Sequence, residues 1–82
     1  MSSEYKYIVA NCPFCKQGLV EISKEIGSNE LFLCCNECEI EWSIPSDVLN
    51  EAKGTRNKYG KIIEPTFDEI TKQGWDKYVQ NR

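Results

Sequence analysis

The sequence predicts a small α+β domain in which a three-stranded antiparallel sheet precedes two short C-terminal helices. Three observations predict it. Cys12-Pro13-Phe14-Cys15 and Cys35-Asn36-Glu37-Cys38 are two C-x-x-C pairs nineteen residues apart, and the segment between them carries a hairpin pattern. Glu39 to Ile44 alternates polar and apolar residues without a break. Beyond Pro45 the periodicity changes, with helix-capping residues at Ser46 and Thr66.

Taken in order, Leu19-Val20-Glu21-Ile22-Ser23 alternates as a strand, Gly27-Ser28-Asn29 supplies turn residues, and Leu31-Phe32-Leu33 returns toward Cys35. Glu39 to Ile44 is the third strand, with Ile40, Trp42 and Ile44 on one face and Glu39, Glu41 and Ser43 on the other. Ser46 is the expected N-cap of a short helix that Gly54 stops. Thr55 to Glu64 is a polar connection in which Ile62-Ile63 can pair as a short edge strand. Thr66-Phe67-Asp68-Glu69 matches a capping box, so a second helix begins there, with Gly74 as a possible end. Phe67, Ile70, Gly74 and Tyr78 share one stripe, with Trp75 and Val79 beside it.

The cysteine spacing is that of a structural Zn²⁺ site. Each pair brings two thiolates to one side of a tight turn, and two pairs close a tetrahedral shell with no position left for water. Cys12, Cys15, Cys35 and Cys38 are the expected ligands of one structural Zn²⁺. Cys34 is assigned as a buried or half-buried free thiol, because Cys35 preserves the two-residue spacing and adjacent strand residues face opposite ways; its three-residue spacing to Cys38 is also within the ligand range, so Cys34 in place of Cys35 is the alternative. The order of knuckle, hairpin, knuckle and strand over residues 8–45 resembles the zinc-ribbon superfamily, and the resemblance covers slightly under half the chain. It implies a single domain, 1–82, made of a ribbon at 8–45 and a helical extension at 46–82. One departure is that Lys16 and Glu39 stand where ribbons often carry glycine after the second cysteine.

Size and composition agree with a metal staple. A chain of 82 residues that is 40% hydrophobic builds only a small core, and domains of this size are marginal without added constraint. Ser2, Ser3, Glu4 and Lys6 precede a short Tyr7-Ile8-Val9-Ala10 run, which lacks the pattern of a secretion signal, and no segment approaches the ~20 apolar residues of a membrane span. The expectation is a cytoplasmic protein, where thiols stay reduced and bind metal. The sequence does not determine the oligomeric state.

No catalytic residue is assigned and no enzyme is expected, since histidine is absent and the paired acids Asp68 and Glu69 are explained by capping. A rival comes from Tyr7 to Cys15, which resembles the strand and C-P-[FY]-C opening of a glutaredoxin, a thiol oxidoreductase. Against it, Gln17 to Ile22 carries a glycine and alternates as a strand where that family starts a helix, and Cys35-x-x-Cys38 has no role there.

Four thiolates and one Zn²⁺ take the net charge of −3 to about −5. Nucleic-acid binders usually carry a basic footprint. Here Lys53, Arg56, Lys58 and Lys61 form one short basic stretch, read first as a solvated loop, while Glu37, Glu39 and Glu41 gather at the second knuckle. Trp42, Trp75, Phe67 and Tyr78 are read as core sealing the tail against the ribbon. The leading expectation is a protein-binding module whose acidic face docks on a basic partner. In size and acidity it resembles small bacterial immunity proteins that mask nuclease toxins. The alternative is a transcription or translation accessory that contacts nucleic acid or a polymerase through Lys53 to Lys61, since the cysteine pattern is also similar to elongation-factor-type ribbons.

Overall fold

The structure, a computed structural model, describes residues 7–80. The start of the chain read for a secretion signal, Ser2 to Lys6, lies outside them. The chain forms strands β1 (Ile8–Asn11), β2 (Leu19–Glu25), β3 (Leu31–Cys35) and β4 (Glu41–Trp42). Helix α1 (Pro45–Leu49), strand β5 (Ile62–Ile63), helix α2 (Phe67–Gln73) and a 3₁₀ turn at Asp76–Tyr78 follow.

One antiparallel sheet holds all five strands in the order β1-β2-β3-β4, with β5 pairing the far end of β2. The expected hairpin is its centre: Val20 pairs with Cys35, Ile22 with Leu33 and Lys24 with Leu31. At its turn it is Asn29, not Gly27, that adopts the left-handed conformation, at φ 62°. Asparagine tolerates that region because its short polar side chain bonds locally.

Three expectations are corrected. The sheet has five strands rather than three, because the Tyr7–Ala10 run contributes β1 and Ile62–Ile63 crosses back onto Lys24 and Glu25. The segment after Pro45 is therefore not purely helical. A bulge at Val9 gives β1 one extra residue against β2 and places Val9 in the core. The third strand is shortened to Glu41–Trp42, leaving Ile44 exposed at the N-cap of α1.

Helix α1 begins at Pro45 rather than being capped by Ser46, since proline's fixed φ and missing N–H suit the first helical position. It ends at Leu49, well before Gly54. Gly54 instead allows a close crossing: a Cβ there would stand 2.2 Å from Ile40 Cγ2 and 2.5 Å from the Glu41 carbonyl oxygen. The capping box of α2 forms as expected, Thr66 Oγ1 accepting from Glu69 N and Glu69 Oε1 accepting from Thr66 N, an arrangement worth ~1 kcal/mol. Gly74 ends this helix in the left-handed conformation.

The core lies on the sheet face carrying Val20, Ile22, Leu33, Cys35 and Trp42, and Val48, Ile70 and Trp75 pack onto it from the C-terminal segments. Phe67 and Tyr78 are partly buried against the same cluster, so all four aromatics read as core belong to it or pack on it. Trp42 donates its indole N–H to the Ala52 carbonyl at 2.8 Å, satisfying its polar atom on burial. Lys24, on β2, pairs with Glu69 of α2, tying sheet to helix and holding the Glu69 carboxyl below its ordinary pKa. Among the described residues, no helix is long and apolar enough to cross a membrane.

Candidate metal centre

The two knuckles are turns that end β1 and β3. Cys12 N donates to the Gly18 carbonyl at 2.9 Å, and Cys35 N donates to the Ile40 carbonyl at 3.0 Å, so each loop closes on its own first cysteine. The residue after each second cysteine is left-handed, Lys16 at φ 63° and Glu39 at φ 65°. These are the positions where the sequence departs from the ribbon pattern, and the turn imposes the glycine-type conformation on both residues regardless.

The hairpin register brings the knuckles together. Val20 opposite Cys35 sets the start of β2 beside the end of β3, and Asn36 N donates to the Leu19 carbonyl across the gap at 3.0 Å. All four sulfurs of Cys12, Cys15, Cys35 and Cys38 then lie within 4.8 Å of one another. The closest approaches cross between knuckles, 3.7 Å for Cys12 to Cys38 and 3.6 Å for Cys15 to Cys35. Zn–S bonds of ~2.3 Å in a tetrahedron put the sulfurs ~3.8 Å apart, so the spacing fits a zinc ion and the cluster can hold one metal.

Backbone amides converge on the sulfurs. Phe14 N and Cys15 N point at Cys12 Sγ (3.4 and 3.5 Å), Glu37 N and Cys38 N at Cys35 Sγ (3.3 and 3.4 Å), and Gly18 N at Cys15 Sγ (3.3 Å). Such donors stabilise a sulfur that carries negative charge. At Cys15, the N–H groups of Gln17 and Gly18 hold the thiol down to about 6. At Cys35, which is fully buried, desolvation pushes the thiol up to about 12. A metal bound here must displace the thiol protons, that of buried Cys35 included.

Cys34 stands apart. It lies on the other face of β3, half-buried, with its thiol pushed up to about 11 first by burial and then by the carboxylates of Glu41, Glu39 and Glu21. Of the acids the sequence reading placed in solvent, Glu37 and Glu39 are exposed and Glu41 is not. Glu41 is only 7% exposed: its carboxylate accepts from Thr55 Oγ1 at 3.1 Å and Lys58 N at 3.0 Å. Backbone bonds in both directions join Glu41 to Thr55 as well. The basic connection is thus fastened over the second face of the sheet, where Tyr59 stacks on Phe32 with ring centroids 3.9 Å apart. Lys53, Arg56, Lys58 and Lys61 are nevertheless exposed.

One contributor to the centre escaped the sequence reading. It is Gly18, since a Cβ on it would stand 2.6 Å from Cys35 Sγ. Only the glycine's place immediately before β2, three residues past Cys15, hinted at it. After Cys15 the chain enters a turn and then strand β2, with no helix following the cysteine pair.

Compared with known proteins, the chain matches no family model, no curated protein and no solved structure significantly.

Proposed function

We propose that this chain is a non-catalytic zinc-ribbon module that binds a protein. In this reading Cys12, Cys15, Cys35 and Cys38 hold one structural Zn²⁺, and the acidic sheet face docks on a basic partner in the manner of an inhibitor or immunity-type protein that masks a nuclease toxin. The observation that carries it is the division of labour across β3. Cys35 points into the sulfur cluster, while its neighbour Cys34 lies in a row with Glu21 and Glu41 on the opposite face. Four sulfurs complete a tetrahedral shell, so the metal has no open position at which to activate water or substrate. The exposed acids at the second knuckle, Glu37 and Glu39, are then placed to steer a basic protein, because complementary charge speeds association and fixes orientation.

A second reading, a transcription or translation accessory, draws on the exposed Lys53, Arg56, Lys58 and Lys61, whose loop is held to the sheet by Glu41. The net charge of −3 weighs against it, since phosphate binding leans on positive charge. The oxidoreductase alternative lacks the helix that would follow Cys15 and lower its thiol pKa through the helix dipole. Affinity capture from the native host, read by mass spectrometry, separates the first two. The proposal expects a basic protein that remains bound after nuclease treatment. Recovery of nucleic acid alone, lost when Lys53, Arg56, Lys58 and Lys61 are neutralised, reverses the choice.

A further inference from the structure

The four clustered sulfurs are arranged for a second kind of clamp. The approaches of 3.7 Å from Cys12 to Cys38 and 3.6 Å from Cys15 to Cys35 share no atom and together use all four. Each joins a buried sulfur to a half-buried one, since Cys12 and Cys35 lie inside while Cys15 and Cys38 reach toward the surface. Each also crosses from one knuckle to the other, between cysteines 26 and 20 positions apart in the chain.

Backbone contacts that involve no metal bring these pairs together. Val20 opposite Cys35 sets the hairpin register. Leu19 and Asn36 lock its open end, Asn36 N donating to the Leu19 carbonyl and Leu19 N to Asn36 Oδ1, both at 3.0 Å. Cys12 N, bonded to the Gly18 carbonyl at 2.9 Å, holds the first knuckle at the start of β2. Cys34 is outside the cluster, and its thiol donates to the Cys35 carbonyl at 3.5 Å.

We propose that peroxide exchanges the zinc clamp for two cross-knuckle disulfides, Cys12–Cys38 and Cys15–Cys35, and that the fold survives the exchange. This rests on the structural-zinc reading. The half-buried sulfur of each pair, Cys15 or Cys38, attacks the peroxide O–O bond and becomes a sulfenic acid, while the second oxygen takes up a proton and leaves as water. The buried partner, Cys35 or Cys12, displaces the sulfenic hydroxyl, which leaves as water with a second proton as the S–S bond closes. Each pair gives two electrons to one peroxide, so two peroxides and four protons consume the four thiolates, release one Zn²⁺ and form four waters. The disulfides tie the same two knuckles that the metal ties, and a cross-link stabilises more when the loop it closes is longer. A bond within either C-x-x-C pair closes only its own short turn and leaves the knuckles untied.

In the test, the zinc-loaded protein is treated with hydrogen peroxide, zinc release is read with a chromophoric chelator, and unreacted thiols are capped with N-ethylmaleimide before a non-reducing tryptic digest. Cleavage after Lys6, Lys16, Lys24 and Lys53 puts Cys12 and Cys15 on one peptide and Cys34, Cys35 and Cys38 on another. Cross-knuckle bonds therefore join the two peptides, and bonds within a knuckle leave them apart. The expected result is about two peroxides consumed per zinc released, with joined peptides that carry one maleimide, on Cys34, and fragment as Cys12–Cys38 and Cys15–Cys35. The far-UV sheet signal should persist in chelator until a reductant is added. Separate peptides, a different pairing, or loss of the sheet signal as zinc leaves would overturn the proposal. Metal analysis before oxidation keeps its failure apart from that of the zinc reading. A protein without zinc removes the reading, whereas zinc release with separate peptides removes only the disulfides.

Discussion

Gly18 lies so close to the second knuckle that a Cβ placed on it would stand 2.6 Å from the Cys35 sulfur and 2.8 Å from the Glu37 side chain. The first knuckle's exit is therefore packed directly against a ligand candidate of the second, and the sulfur cluster depends on a residue with no donor atom of its own.

Gly18→Ala is expected to push Cys35 out of the cluster and lower zinc affinity by about 10–100-fold, the range seen when groups supporting metal ligands are disturbed. Competition against a chromophoric chelator reads it directly. An unchanged affinity would mean that the close approach does not position Cys35.

Lys16 and Glu39 both hold left-handed backbone at cost, since a side chain in that region is crowded by about 1–2 kcal/mol. Lys16→Gly and Glu39→Gly should each raise stability by about 0.5–1 kcal/mol, the relief of strain being partly offset by glycine's greater freedom when unfolded. Thermal unfolding of the zinc-loaded variants checks this, and a fall in Tm for both would contradict the geometry.

Cys34 separates from the other thiols by pH as well as by position. Burial raises its thiol to about 11, so it is protonated at neutral pH and should alkylate slowly there, with the rate climbing as pH rises toward 11. Mass spectrometry after iodoacetamide treatment of the zinc-loaded protein should find Cys34 modified at high pH and Cys12, Cys15, Cys35 and Cys38 protected. Cys34→Ser should retain full zinc and Cys35→Ser should lose it. The opposite result would show that Cys34 replaces its neighbour as ligand.

What the sequence made legible was local. The two C-x-x-C pairs, the hairpin between them and the Thr66–Glu69 capping box depend on residues a few positions apart, and spacing alone specifies them. What it left hidden depends on chain segments meeting from a distance. Ile62–Ile63 reaches Lys24 and Glu25 across the sheet, and nothing in a two-residue apolar run names its partner. Glu41 followed the polar side of an alternating strand as expected, but Thr55 and Lys58 fold back over that side and bury it. The start of α1 was misplaced by two residues because Ser46 is a good cap and Pro45 a better first residue.

The central claim is that one zinc ion held by four thiolates is the clamp on which the fold depends. Its most direct test is elemental analysis of the purified protein, followed by far-UV circular dichroism before and after chelation under reducing conditions. The account predicts one zinc per chain, and loss of the sheet signal on chelation that is reversed by adding zinc back. A protein that contains no zinc, or one that keeps its fold when stripped of it, would contradict the account.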